Sequence, residues 1–325
     1  MIKKIIGMSL DLFNLAISPL VAFFSAIQAR RGAERLAITY KIWDLFKVSP
    51  VRHHYYQPVY NPHKIPESTW DKRDPLYGID LNTENQLILL KSFHFNDELK
   101  TISLEPTNDS LEFFYKNPSF GPGDAETLYN MVRHFRPKKV IEIGSGYSTR
   151  LMKKALDKNK EEGSLSVHIC IEPYEMPWLE SLGVDNVIRE KVEDVALSVF
   201  TGLEENDIIF IDSSHVLRTA GDVFIEYLHI LPSVKQGVIV HIHDIFMPFE
   251  YPKDWIVKKR IFFTEQYLLQ AFLAFNPEFE VLLACSYLAH DFPDRLAAAS
   301  PGYAASQYSK PGSFWLRRRK MTTVN

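Results

Sequence analysis

The stretch Val140-Ile-Glu-Ile-Gly-Ser-Gly-Tyr-Ser-Thr149 decides the fold of this chain. Its apolar residues form the run that is typical of a central parallel strand buried on both faces. Gly144 and Gly146 follow at once, and glycines let a backbone turn tightly and approach a ligand closely. A helix comes next in the pattern. A strand, a glycine turn and the start of a helix together predict a cradle for a cofactor, with Glu142 as an added acceptor.

The composition of the chain permits a sizeable core and argues against a polyanionic partner. The chain has 325 residues, of which 46% are hydrophobic, and its formal net charge is −3. Because there is no basic excess, no nucleic acid partner is predicted. The two cysteines, Cys170 and Cys285, lie in apolar, strand-like runs. We expect buried free thiols, which suit a reducing cytoplasm.

Residues 1–40 have an amphipathic pattern of their own. Residues 5–29 are mostly apolar, with two lysines before them and three arginines after them. Asp11 would cost about 2.5–3.5 kcal/mol at a bilayer centre and Pro19 interrupts the helix, so a simple transmembrane span is disfavoured. We expect an amphipathic helix or bent hairpin on the cytoplasmic face of a membrane. The alternative is packing on the protein's own body or on a second subunit, and hence an oligomer.

The rest of the chain divides into a lead-in, a regular domain and a tail. Residues 41–122, rich in His, Tyr, Pro and Asn, predict a loop-rich cap, and residues 321–325 form the tail. Residues 123–320 alternate strands with helices, which predicts an α/β fold with a doubly wound, mostly parallel, seven-stranded sheet. The predicted strands are residues 140–143, 167–171, 187–188, 208–211, 237–242, 280–287 and 313–317.

The helices refine this prediction. Ser148 or Thr149 is expected to cap a helix over residues 150–156, and Asp124 to cap the helix before the first strand. Another helix is predicted over residues 219–232. No full helix is predicted between the last two strands, which should therefore close the sheet as an antiparallel hairpin.

Polar residues recur where the predicted strands end, and ligands bind at those ends in doubly wound sheets. They are Glu142, Glu172, Asp212, His215, His243 and Asp244. Glu172 follows the second strand, where a carboxylate can accept both ribose hydroxyls of a nucleoside cofactor. Thr149 stands where the dinucleotide fingerprint has its third glycine, and no phosphate-binding P-loop occurs. The pattern favours a nucleoside cofactor other than a dinucleotide.

These motifs resemble those of class I S-adenosylmethionine-dependent methyltransferases, which have a Rossmann-like fold. The likeness covers about residues 115–317. The Asp-x-x-His motif at 212–215 and the His-Asp pair at 243–244 are similar to those of bacterial metal-dependent sugar and natural-product O-methyltransferases. The resemblance implies S-adenosylmethionine as cofactor. It places these residues at the cofactor: Glu142, Gly144, Ser145, Gly146, Glu172 and Asp212.

The resemblance also implies a base and a metal site. His215 matches the family's general base, which acts beside Asp212. Asp212 and Asp244 match ligands of a magnesium ion, but the third ligand is a glutamate where this chain has His243. Imidazole favours softer ions than Mg²⁺. Three alternatives follow for His243. It is a ligand of Mg²⁺, Mn²⁺ or another divalent metal, it contacts the substrate instead, or the site holds no metal.

The sequence thus predicts O-methylation of a sugar or other small hydroxylated metabolite. An alcohol must lose its proton as it attacks a methyl donor, and a histidine can take that proton near neutral pH. The expected setting is a surface-glycan or natural-product pathway in the cytoplasm, or on the inner face of the membrane. The alternatives are a cofactor-binding scaffold or regulator of an envelope pathway, and an enzyme of the same fold with different chemistry.

Overall fold

The computed structural model describes residues 2–306 and 309–320, with side chains described from residue 10 onward. The chain forms two compact units, Met1–Pro66 and Glu67–Asn325. The predicted tail at residues 321–325 lies outside the described residues. The predicted division of roles among the segment up to residue 40, the lead-in and the regular domain stays a prediction.

The first unit contains two helices, α1 over Ile2–Arg35 and α2 over Ala37–Leu45. Pro19 lies inside α1, and Gly32 interrupts its helical geometry with a φ of 78°. The stretch Leu10–Arg35 is long and apolar enough to cross a membrane, with a mean hydropathy of 1.8, and none of its apolar window is buried. The predicted helical N-terminal extension is therefore confirmed.

A seven-stranded sheet organises the second unit. Its strands are β1 (Lys139–Ile143), β2 (Val167–Ile171), β3 (Asn186–Ile188), β4 (Ile208–Ile211), β5 (Ile239–Ile242), β6 (Phe279–Ala284) and β7 (Phe314–Arg318). Their order is β3-β2-β1-β4-β5-β7-β6, with β1 to β5 parallel and β7 antiparallel to both its neighbours. All residues of β4 and β5 are buried, as expected for central strands covered on both faces. The predicted doubly wound, mostly parallel sheet is confirmed.

Helices flank this sheet and lie in its connections. They are α3 (Thr83–Ser92), α4 (Asn96–Leu99), α5 (Asp124–Phe135), α6 (Tyr147–Glu161), α7 (Pro177–Ser181), α8 (Ser198–Thr201), α9 (Asp222–Ile225), α10 (Leu231–Ser233), α11 (Lys253–Val257), α12 (Glu265–Leu273), α13 (Cys285–Asp291), α14 (Pro293–Ala299) and α15 (Pro301–Ala305). The predicted helix over residues 219–232 consists of α9, a π-helical turn at Glu226–Ile230, and α10.

The prediction of a hairpin without helices between the last two strands was wrong. Helices α13, α14 and α15 lie between β6 and β7, although these two strands do pair antiparallel. Two of the three helices begin at a proline, Pro293 and Pro301. Proline is well tolerated at a first helical position, where its missing N–H has no partner to lose.

Helix α3 covers an edge of the sheet. The side chain of Gln86 accepts a hydrogen bond from the backbone N–H of Ala284 at 2.8 Å, and the side chain of Asn82 donates to Val281 O at 3.1 Å. These bonds satisfy backbone groups of the edge strand β6, which would otherwise be open to pairing with another chain. This part of the predicted lead-in therefore belongs to the folded body of the second unit.

Candidate functional site

The glycine turn after β1 holds together the ends of three strands. The backbone N–H of Gly144 donates to Ile171 O, and that of Asp212 donates to Ile143 O, each at 3.0 Å. Gly144 has a φ of +82°, and a Cβ built on it would lie 2.0 Å from the carbonyl oxygen of Asp212. Any side chain would clash there, so the approach of this turn to the end of β4 requires glycine.

Glu142 lies fully buried at the end of β1, and both its carboxylate oxygens contact protein groups. Oε1 accepts hydrogen bonds from the hydroxyls of Ser148 and Thr149 at 2.8 and 3.0 Å. Oε2 lies 3.0 Å from Nε2 of His168. Glu142 thereby joins the start of α6 to β2. Its direct contact with a cofactor stays a prediction, whereas its contacts in the structure stabilise the turn.

Helix α6 begins at Tyr147, three residues before the predicted start at Arg150. Gly146 is its N-cap, and the backbone N–H of Gly146 donates to Thr149 Oγ1 at 2.9 Å. Thr149 therefore acts from inside the first turn, and the expectation that it or Ser148 would precede the helix was wrong. The hydroxyls bond back to the turn and to Glu142, because the helix starts as soon as the glycines end.

A buried polar cluster surrounds Glu142. Among the described residues, Glu142, His168 and Cys170 place one ligand-type atom each within 4.8 Å of the others. The Cys170 sulfur lies 3.6 Å from His168 Nε2 and 3.8 Å from Glu142 Oε2. Burial raises the pKa of the Cys170 thiol, and the charge of Glu142 raises it further. Metals bind the thiolate rather than the thiol, so this cluster fits a hydrogen-bonded support better than a metal site.

A cavity of about 290 Å³ lies at the ends of β1, β2 and β4, lined by Gly144, Glu172 and Asp212 among others. The Glu172 carboxylate is fixed there by two backbone groups. Its Oε2 accepts from the N–H of Ser145 at 3.1 Å, and its Oε1 accepts from the N–H of Tyr174 at 2.9 Å. Each oxygen keeps a lone pair for a further donor. The cavity therefore offers fixed acceptors to the hydroxyls of a nucleoside.

A second cavity, of about 400 Å³, adjoins the first at Asp212, which lines both. His243 and Asp244 line the second cavity beside Asp212, and Trp255 and Phe263 supply aromatic surface. A ligand in one cavity and a ligand in the other would meet at Asp212. Two substrates, one in each cavity, could therefore react with each other beside Asp212.

His215 lies against Asp212, as predicted from the sequence. Its Nε2 is 3.2 Å from Asp212 Oδ1 and 3.6 Å from Asp244 Oδ2. Its other ring nitrogen, Nδ1, is 2.7 Å from Oε2 of Glu265, which is fully buried and also accepts a hydrogen bond from the Tyr227 hydroxyl at 3.0 Å. A buried carboxylate on one nitrogen orients the ring, so the other nitrogen points toward Asp212 and Asp244.

His243 lies between the two predicted metal-binding carboxylates. Its Nδ1 is 3.4 Å from Asp212 Oδ1 and 3.5 Å from Asp244 Oδ1, and its Nε2 is 3.6 Å from Asp124 Oδ2. Asp124 does not cap α5 with its side chain as predicted, because it accepts the N–H groups of Gly312 and Ser313 instead. The structure therefore brings Asp212, His243 and Asp244 together as a set of oxygen and nitrogen donors.

The place where the two cavities meet, which we call the junction, consists of Asp212, His215, His243 and Asp244. Opposite charges dominate it. Burial disfavours the charged forms of His215 and His243, yet the neighbouring carboxylates outweigh it and hold both pKa values well above the usual range. Burial likewise opposes ionisation of Asp212, but His243 and His215 hold the pKa of Asp212 below its usual range. Burial raises the pKa of Asp244, against the opposing effect of both imidazoles. Each imidazole is thus bound to a carboxylate that favours its protonated form.

Three residues of the site were missed by sequence reasoning: Glu265, Tyr227 and Asp124. Glu265 follows His215 by fifty positions and starts a helix, where an acidic residue is common for reasons unrelated to function. Asp124 was read as a helix cap for the same reason. One feature of the sequence could have indicated them, namely a carboxylate on an otherwise apolar face of a helix. Such a carboxylate is buried with that face and therefore needs a buried partner.

Replacing Glu265 with Gln is expected to lower kcat roughly 10²-fold, since a displaced reacting group typically costs this much. The change keeps the volume and an oxygen for Tyr227 but removes the charge that orients His215. KM for a ligand of the first cavity should not change, because Glu265 does not line that cavity. Steady-state kinetics measure both. Tyr227→Phe, which removes only the bond to the other oxygen, is the matched control, and an equal loss in both variants would assign Glu265 to core packing.

Comparison with known proteins identifies the central part of the chain. The model of a family described as a methyltransferase domain matches residues 141–245. A protein of Archaeoglobus fulgidus, described as uncharacterised, is 33% identical over 167 residues, which is 48% of this chain and 74% of the relative. The matched residues begin inside β1 and end at the residue after Asp244, so they contain both the glycine turn and the four residues of the junction.

Two solved structures illustrate the weaker likenesses. The O-methyltransferase TomG of Streptomyces achromogenes, involved in tomaymycin synthesis and solved with S-adenosylmethionine, is 13% identical with a TM-score of 0.34, covering 77% of this chain and 92% of its own. The O-methyltransferase of Bacillus cereus, solved with S-adenosylhomocysteine, is 14% identical with a TM-score of 0.33, covering 73% and 91%. Likenesses at this level carry no argument about the acceptor.

Proposed function

Because this chain belongs to the class I S-adenosylmethionine-dependent methyltransferases, we propose that it methylates a hydroxyl oxygen of a sugar or other small hydroxylated metabolite. One observation carries the proposal: Asp212 lines both cavities, and His215 contacts it at 3.2 Å. This contact supports His215 as the base, beside the point where a methyl donor in one cavity and an acceptor in the other would meet.

The proposed step forms one bond and breaks one bond. S-adenosylmethionine supplies an activated methyl group, so the acceptor oxygen forms the new O–C bond as the C–S bond breaks and S-adenosylhomocysteine leaves. His215 takes the hydroxyl proton at Nε2, and Glu265 holds the ring in place. Asp212 and Glu265 favour a protonated His215, and a cationic donor bound beside Asp212 would weaken that preference and so free Nε2 to accept the hydroxyl proton.

The cofactor contacts proposed for the other residues follow from their positions. Glu172 would accept the ribose hydroxyls with the lone pairs that its bonds from Ser145 and Tyr174 leave free. Gly144 allows the close approach of the turn, and Gly146 lets α6 begin beside it. Glu142 is proposed to act through the turn that it supports. Proximity supplies much of the rate, because the methyl donor is already activated.

A divalent cation at Asp212, His243 and Asp244 is part of the proposal. The donor set suits Mn²⁺ or a softer ion better than Mg²⁺, because it includes an imidazole. When bound, such an ion would lower the pKa of the acceptor hydroxyl and orient it. The ligand atoms of these three residues do not all lie within 4.8 Å of one another, so they would need to move closer together to share one ion.

Chelation tests the metal separately from the methyl transfer. Exhaustive treatment with EDTA is expected to lower kcat, and added Mn²⁺ should restore it more fully than Mg²⁺, for the reason of ligand softness. The affinity for S-adenosylhomocysteine, measured by calorimetry, is the control and should not change. Unchanged turnover after chelation would remove the metal from the mechanism and leave His243 as a substrate contact.

A surface-glycan or natural-product pathway remains the proposed setting, on the cytoplasmic side, with the N-terminal segment touching the membrane. The competing function is a cofactor-binding scaffold. The deciding experiment incubates the protein with S-adenosylmethionine labelled in its methyl group and a panel of sugars, nucleotide sugars and hydroxylated aromatic compounds, followed by mass spectrometry. Label in an ether linkage supports the enzyme. Tight cofactor binding without transfer to any member of the panel supports the scaffold.

A further inference from the structure

Helix α2 carries an apolar stripe that is exposed in the described part of the chain. The stripe consists of Ile38, Ile42, Leu45 and Phe46, which are 78%, 53%, 80% and 74% exposed. They stand at i, i+4, i+7 and i+8, so they lie on one side of the helix. Asp44, which is also exposed, lies on another side. Four large side chains on one face of a short helix are an unusual exposure for a surface in water.

The opposite side of α2 is tied to α1. The Trp43 indole N–H donates to the side-chain oxygen of Gln28 at 2.7 Å, and the Tyr40 hydroxyl donates to the backbone oxygen of Gln28 at 3.3 Å. The chain turns back at Gly32, where φ is 78°. Because Tyr40 and Trp43 face α1, the apolar stripe of α2 faces away from it.

Helix α1 indicates what covers the stripe. Large apolar side chains are exposed around most of its circumference, among them Leu12, Phe13, Leu15, Leu20 and Phe23. Its stretch Leu10–Arg35 has the length and hydropathy of a helix that crosses a bilayer. Arg30, Arg31 and Arg35 lie where α1 gives way to α2. Cations beside an apolar helix are attracted to anionic headgroups.

We propose that α1 and α2 form one lipid-binding unit, in which α2 lies in the headgroup region of an anionic bilayer with its stripe at the acyl boundary. The proposal goes beyond the enzymatic function and does not depend on it. A bilayer explains α1 and α2 together, because it covers the exposed apolar side chains of α1 as well as the stripe of α2, and its anionic headgroups attract the three arginines. A second copy of the chain would bring the same three arginines and would have to cover both apolar surfaces.

The test compares two faces of α2 in the full-length protein. Leu45→Cys and Asp44→Cys are each labelled with the environment-sensitive dye NBD; the native Cys170 and Cys285 are buried, so the label goes to the new thiol. The protein is mixed with vesicles of phosphatidylethanolamine and phosphatidylglycerol. We expect several-fold brighter, blue-shifted emission from position 45, quenched by nitroxide lipids, and little change at position 44.

Two results would overturn the proposal. One is a protein that floats with the vesicles while position 45 responds no more than position 44, which would leave α1 as the sole membrane contact. The other is emission at position 45 that rises with protein concentration in the absence of vesicles, which would assign the stripe to a second copy.

A second measurement uses partitioning. Serine at all four stripe positions should lower the vesicle partition coefficient by about tenfold or more, since each removed side chain loses its transfer to hydrocarbon. The matched control replaces four exposed apolar residues of the second unit with serine: Ile88, Leu104, Leu165 and Leu228. Equal partitioning of the two variants would contradict the proposal.

Discussion

Replacing His215 with Ala is expected to lower kcat by about 10²–10⁴-fold, the usual contribution of a positioned general base. An alkyl hydroxyl is almost fully protonated near neutral pH, so without an acceptor its attack on the methyl group is slow. His215 contacts Asp212 at the junction of the two cavities but does not itself line the cofactor cavity. Affinity for the methyl donor should therefore survive the change.

The measurements that check this are kcat from methyl transfer and affinity from calorimetric titration with S-adenosylhomocysteine. His229→Ala is a suitable control, since His229 is exposed and lies on the π-helical turn away from both cavities. A variant that loses cofactor binding along with activity would show that His215 holds Asp212 in place. A variant with full activity on an established acceptor would exclude His215 as the base.

The strand ends could be predicted from the sequence because neighbouring residues alone mark them. A buried apolar run followed by a polar residue shows where a parallel strand meets the ligand edge, and this placed Glu172, Asp212 and Asp244 correctly at that edge. Parallel strands bring their carboxyl ends to one side whatever their order. The fold and the position of the two cavities follow from that rule.

What the sequence could not predict depends on contacts distant in the chain. Glu265 comes from a helix that follows the sheet's fifth strand, and Asp124 comes from one that precedes the first. Which helix face meets a given histidine is set by packing rather than by spacing. The cofactor contact of Glu142 stays a prediction, and its bonds to the neighbouring hydroxyls and to His168 are further contacts that spacing alone does not give.

The glycine turn and the junction are also linked to each other through Asp212. Asp212 donates its N–H to Ile143 O, and its own carbonyl oxygen faces the α-carbon of Gly144. Its side chain meets both histidines. A displacement of the turn therefore moves the carboxylate that the two cavities share. Cofactor binding and the position of the base should respond together to any change at Gly144.

Replacing Gly144 with Ala is expected to weaken the affinity for the cofactor by roughly 10²-fold or more and to destabilise the protein. The new Cβ would lie 2.0 Å from the Asp212 carbonyl oxygen, a backbone atom that no rotamer change can move, and the φ of +82° is unfavourable for alanine. The left-handed conformation alone costs about 1–2 kcal/mol. The turn must therefore open, which separates it from the end of β4.

Gly146→Ala is the matched control, because it also replaces a glycine of the turn but introduces no clash. Its Cβ would meet no atom within 4 Å, and its φ of −171° is extended backbone that alanine adopts readily. The thermal unfolding temperature should fall by several degrees for Gly144→Ala and change little for Gly146→Ala. Calorimetric titration with S-adenosylhomocysteine gives the affinities. If Gly144→Ala bound this ligand like the wild type, the cofactor would not depend on the close approach of the turn to β4, and the cradle would lie elsewhere along the strand ends.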